Sequence, residues 1–204
     1  GAYIVHKDNR ATDYDIVARH IDSAGADTWP GLDPRRSVGA AFGDQIFPRA
    51  VADGTGGFFA GWIDRRSLSG GQIYGQRIQL DGSPAQGWST LGNPICLATG
   101  GVGSPDLAPD GAGGFFATWI DSRFASSGSV FAQRMTGGGT PMPGWTTDGV
   151  SLCSTSGSRF DPHLVGDGSG GLIAGWTDAR SGANDIYAVR LTAAGVVAPG
   201  WSAN

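Results

Sequence analysis

Short runs that are apolar on both faces, separated by glycine-rich turns, set the pattern of this chain. The run Gly57-Phe-Phe-Ala-Gly-Trp-Ile63, read as a strand, sends Phe58, Ala60 and Trp62 to one side and Phe59, Gly61 and Ile63 to the other. A strand with two apolar faces is covered on both. Ahead of it, after Pro48, Arg49-Ala-Val-Ala52 runs into Asp53-Gly-Thr-Gly-Gly57, a composition suited to a tight hairpin. Behind it, Gln72-Ile-Tyr-Gly-Gln-Arg-Ile78 mixes β-branched and aromatic residues as strands do. A loop containing Gly87-Trp88 and a fourth short run, Pro94-Ile-Cys-Leu97, complete the unit. No segment carries apolar residues at helical spacing over about ten residues without a Gly or Pro, so no helix is predicted.

The unit recurs. The stretch from Asp53 to Arg66 returns from Asp110 to Arg123 and from Asp167 to Arg180, with starts 57 residues apart. Self-similarity at such a period marks a repeat architecture. Four hairpin-linked strands per unit, buried on both faces, predict an all-β fold, a β-propeller of four-stranded blades with a 57-residue repeat. The expected division is a partial blade over 1–46, blades over 47–103 and 104–160, and a partial blade over 161–204. Gly1 to Arg10 aligns without gaps on Gly171 to Arg180, so the first unit opens at its second strand and the last stops before its fourth. Open strand edges invite pairing, and the expectation is further blades of a longer parent chain or a homo-oligomer, such as a ring of about eight blades formed by two copies.

Charge narrows the partners. A net charge of −4 with no Lys or Arg cluster removes the counterion-release term that drives nucleic-acid binding. Every apolar stretch is interrupted well short of the roughly 18 to 20 residues that span a bilayer, so membrane insertion is not expected. Cys96 and Cys153 occupy equivalent positions of successive repeats, too far apart in a ring for a disulfide, and read as buried thiols. No cofactor or metal motif is found: His6, His20 and His163 fall on three different repeat positions, and each Asp-Gly turn carries one carboxylate where Ca²⁺ takes six to eight oxygens.

The segment Pro162-His-Leu-Val-Gly-Asp-Gly-Ser-Gly-Gly-Leu-Ile-Ala-Gly-Trp-Thr-Asp-Ala-Arg-Ser-Gly-Ala-Asn-Asp-Ile-Tyr187 resembles the PD40 or TolB-like repeat. It is closest to a Trp-x-Asp-x-Arg, Asp-Ile-Tyr and Gly-Trp variety found in secreted bacterial proteins. The resemblance implies a β-propeller in a secreted or cell-surface protein of the bacterial envelope. An extra Gly after the Asp-Gly turn, the strand-end Trp and the Gly-Trp loop depart from the usual repeat.

Residues present in every repeat are read as structural. These are the strand-end Trp62, Trp119 and Trp176, acting as wedges between blades, and the pairs Asp64/Arg66, Asp121/Arg123 and Asp178/Arg180, bracing turns and neighbours. Trp88, Trp145 and Trp201 read as loop anchors. Binding is expected where symmetry breaks, in variable loops at one end of the fold. Phe47, Phe124, Arg159 and Phe160 join aromatic to cationic character there and are the candidate ligand-binding residues. The expectation is a non-catalytic binding or scaffold module for protein or glycan, and not an enzyme. The alternatives are a self-assembling structural subunit or the non-catalytic part of a glycan-processing enzyme.

Overall fold

A computed structural model describes the chain apart from residues 10–11, 32, 34, 68–69, 125–126, 154 and 203–204. Among the described residues every helical or extended element is a strand. There are fourteen, in four antiparallel sheets that follow one another along the chain. The first holds β1 (Ala2–Asp8), β2 (Asp15–Ile21) and β3 (Arg36–Gly39). The second holds β4 (Gln45–Ala52), β5 (Phe58–Asp64), β6 (Gln72–Ile78) and β7 (Asn93–Cys96). The third holds β8 (Val102–Pro109), β9 (Phe115–Asp121), β10 (Ser129–Met135) and β11 (Val150–Cys153). The fourth holds β12 (Arg159–Gly166), β13 (Leu172–Asp178) and β14 (Asp185–Leu191).

The strands form where hairpin chemistry allows. Asp53 Oδ1 accepts from the amides of Thr55 (2.8 Å) and Gly57 (2.9 Å), closing the turn that joins β4 to β5, and Asp110 and Asp167 repeat the arrangement. Gly57 is required by close approach, since a Cβ there would lie 2.2 Å from the carbonyl oxygen of Ile78. Gly114 and Gly171 meet Met135 and Leu191 in the same way.

Sheets stack face to face, and three apolar cores fill the seams. Ile16, Ala18 and Val38 of the first sheet meet Phe58, Ala60 and Trp62 of the second. Phe59, Ile63 and Ile73 of the second meet Leu107, Phe115 and Trp119 of the third. Phe116, Val130 and Ala132 of the third meet Leu164, Leu172 and Trp176 of the fourth. The second strands of the two inner sheets, β5 and β9, therefore serve two seams each, which is why β5 is buried at all seven positions. The first strands β4, β8 and β12 lie side by side, while the fourth strands of successive sheets are not in contact at that level. That radial arrangement is a β-propeller. In the fourth sheet Ile186 is 79 % exposed, whereas its counterparts Ile73 and Val130, overlaid by a fourth strand, are fully buried.

Candidate functional site

The strand-end network recurs in three sheets. The indole N–H groups of Trp62, Trp119 and Trp176 donate to Oδ2 of Asp64, Asp121 and Asp178 at 2.9–3.0 Å. Each carboxylate also takes a guanidinium, from Arg66 (2.6 Å), Arg123 (2.5 Å) or Arg180 (2.6 Å). That guanidinium lies about 4 Å above Tyr74, Phe131 or Tyr187. Arg123 and Arg180 additionally donate to Sγ of Cys96 and Cys153. Burial pushes the Cys96 thiol up to about 12, so it stays protonated at neutral pH. Burial would raise Asp178, but the hydrogen bonds of Arg180 and Trp176 and the charge of Arg159 hold it well below the usual carboxylate range. The carboxylates of these networks are committed to the Trp and Arg beside them, while Nε of Arg123 and of Arg180 is buried without a hydrogen-bond partner among the described residues. In the first sheet His6 takes the place of the Trp, and Asp8 pairs with Arg35 at 2.8 Å. Arg10, the remaining member of that set, lies outside the described residues.

The candidate binding residues separate into two groups. Phe124 is 75 % exposed, Phe47 58 % and Phe160 partly so. Phe124 sits 6.1 Å from Phe131, beside Arg123. The loops that hold these positions do adjoin: the Val102 amide donates to the Gly70 carbonyl and the Ser122 amide to the Gly101 carbonyl. Parts of two of the variable loops, residues 68–69 and 125–126, lie outside the described residues. Arg159 does not join the aromatic residues. It is 3 % exposed, and its guanidinium donates to Asp178 (3.2 Å), to the Gly128 carbonyl of the preceding sheet (3.0 Å) and to the carbonyls of Gly157 and Thr155. It occupies the register of the buried Gln45, where the side chain turns inward, so the cation expected on this face is a clamp between sheets.

A different group of residues comes together on the first strands. The pairing of β4, β8 and β12 with their neighbours slips between Ile46 and Arg49, between Gly103 and Asp106, and between Phe160 and His163. Phe47, Ser104 and Asp161 sit in these bulges with φ of 54°, 48° and 47°. A left-handed backbone at a non-glycine residue costs about 1–2 kcal/mol and is concentrated at functional sites. After each bulge comes Pro48, Pro105 or Pro162, and then three unlike residues at one register: Arg49, Asp106 and His163. They touch across the sheets. Asp106 Oδ2 lies 3.1 Å from His163 Nδ1 and accepts from the Leu164 amide at 3.3 Å, while Asp106 Oδ1 lies 3.9 Å from Arg49 Nε. The His163 side chain is 73 % exposed, leaving Nε2 free to face a ligand. Beside Arg49, between β1 and β4, a pocket of about 370 Å³ is lined by Val5, His6, Lys7, Ile46, Phe47, Pro48 and Arg49.

Sequence reasoning took His163 for a local substitution and passed over Arg49 and Asp106. The available signal was that positions 49, 106 and 163 share one register and differ in charge while their flanks repeat.

No protein-family model matches the chain, and no curated protein sequence matches it. Solved structures do resemble it. A Hadza microbial sialidase matches with a TM-score of 0.53 at 11 % identity, over 90 % of this chain and 42 % of its own. The sucrose-6-phosphate hydrolase from Lactobacillus gasseri matches with 0.45 at 13 % identity, over 88 % of this chain and 40 % of its own. The endo-arabinase from Bacteroides thetaiotaomicron matches with 0.46 at 13 % identity, over 93 % of this chain and 70 % of its own. The chain thus spans well under half the length of the first two. The likeness establishes a β-propeller and lends nothing to the PD40 or TolB-like type in particular. It also brings a correction: a protein named as a sialidase shares this fold, so a non-catalytic binding or scaffold module, and the exclusion of enzymatic function, no longer stand as the main reading.

Proposed function

We propose that this chain is a section of the β-propeller of a glycan-processing enzyme and that the glycan is worked on over the bulged first strands. The observation that carries the reading is the Arg49–Asp106–His163 array, the charged register that differs from sheet to sheet within a repeating frame. A carboxylate bonded to imidazole Nδ1 orients the ring and supports the charge it gains on protonation, leaving Nε2 to give or take a proton at a glycosidic oxygen. Asp161, exposed in the bulge two residues upstream, supplies a carboxylate for the water or the anomeric carbon on the same strand. Phe47 offers a ring face to the sugar. The name of the sialidase that shares the fold agrees with this reading. Placement outside the cell or on the bacterial envelope, implied by the repeat resemblance, and the unit boundaries at 46, 103 and 160 belong to the same proposal.

The test is hydrolysis of a panel of nitrophenyl glycosides and natural oligosaccharides by the purified chain and by the longest version of its parent that expresses. Turnover is expected, falling about 10²–10⁴-fold in His163→Gln and Asp161→Asn. A blank panel, or turnover that survives both changes, refutes the assignment.

A further inference from the structure

We infer that the pocket between β1 and β4 receives a sugar residue bearing a carboxylate, an inference that rests on the glycan reading and names its substrate class. The argument begins with how the chain spends its positive charge. The guanidiniums of the strand-end networks and of the turn networks (Arg77, Arg134 and Arg190) each sit within 3 Å of a buried aspartate and are neutralised there. Lys7, the chain's single lysine, and Arg49 are held differently, and both line this one pocket together with His6. Among the described residues no carboxylate forms an ion pair with Lys7, whose ammonium rests 4.3 Å from the Tyr14 ring centre. Asp106 approaches Arg49 only to 3.9 Å, beyond hydrogen-bond reach. Among the described residues no carboxylate lines the pocket.

The remaining lining is apolar. Val5, Ile46, Phe47 and Pro48 offer carbon surface for the face of a pyranose ring, and about 370 Å³ is room for about one such residue, near the small end of ligand sites. In a chain of net charge −4, this cationic rim is a local exception that draws an anion by charge complementarity. The seam is also unique in composition. At the registers of His6 the other sheets carry Trp62, Trp119 and Trp176, and at the register of Arg49 they carry Asp106 and His163. Arg49 borders both the pocket and Asp106, and through Asp106 the rim of the pocket connects to His163.

The experiment is calorimetric titration of the chain with trigalacturonate against neutral galactotriose, and with sialyllactose against lactose, repeated on Lys7→Gln and Arg49→Gln with melting temperature as the folding control. The expected result is an acidic glycan bound at least about tenfold more tightly than its neutral counterpart. That preference should shrink about fivefold or more in each variant at unchanged melting temperature, and which acid binds identifies its source. Equal affinity for acidic and neutral glycans, or a preference untouched in both variants, overturns the acidic class and leaves the glycan reading in place. Failure of every glycan to bind overturns both. Lys7 is itself exposed, so if Arg49→Gln fails to fold, Lys7→Gln alone decides.

Discussion

Two registers of the same propeller show opposite design. At the end of the second strand, each of the last three sheets carries the same Trp–Asp–Arg set, its Trp and Asp buried and bonded to each other. Just past the bulge in the first strand, each of the last three sheets carries a different ionisable residue, partly or largely open to solvent and linked across the seams. A position whose job is to hold two sheets together is wanted identically at every seam, because the seams are alike. A position that meets a ligand needs unlike groups around one point. Repetition therefore marks the scaffold, and its failure at a strained backbone marks the site.

Replacing Asp121 with Ala tests the first half most severely. It strands the Trp119 indole and the Arg123 guanidinium in a buried seam, with an expected loss of about 3–5 kcal/mol in urea unfolding. The same change at Asp106, whose side chain is 19 % exposed and whose ionic partners Arg49 and His163 are open to solvent, should cost only about 1 kcal/mol. Comparable losses at both sites would erase the distinction drawn between them.

A smaller effect is expected from Gly149→Ala. This glycine has φ of 92°, and a Cβ would fall 2.7 Å from the Trp119 ring. Left-handed strain and overpacking together should cost about 1–3 kcal/mol. A neutral outcome would mean that the indole is free to shift and the seam is looser than the network implies.

Acid separates the registers more gently. Asp53 and Asp110 are held below the usual range because Thr55 or Ala112, Arg77 or Arg134, and the turn amides outweigh the effect of burial. The Ser169 amide and hydroxyl and Arg190 do the same for Asp167, and Asp178 is depressed as described. A carboxylate depressed in the folded state contributes stability above its unfolded value near 3.9 and loses it as pH falls through the folded value. Asp15, raised by burial and by Asp13 and Asp8, works in the opposite sense but is one group against seven, since Asp22, Asp27 and Asp81 are held down as well. The urea midpoint should hold steady from neutral pH to about 4.5 and decline below about 4. A decline that begins near pH 6 would place histidine titration, not these carboxylates, in control.

Much of this was legible in the chain before any coordinates. The strands, the Asp-Gly hairpins and the 57-residue unit follow from local chemistry. Two-sided apolarity of runs such as Phe58 to Ile63 already demands a neighbour on each face. The site was less legible. Attention to variable loops found the exposed Phe47, which does border the pocket, but it also chose Arg159. An arginine outside the repeated pattern looks the same on paper whether its head group faces water or, as here, reaches the Gly128 carbonyl of the preceding sheet.

What the sequence determined by itself is the repeating scaffold, because turns, strand alternation and Trp–Asp–Arg spacing act over a few residues and need no knowledge of distant chain. Which residues meet across the seams was decided only by the tertiary structure. Residues 57 positions apart become neighbours through the rotation from one sheet to the next, and a bulge of one turn of backbone re-aims whatever follows it. Arg49, Asp106 and His163 form one group for that reason, and nothing local to any of the three announces it.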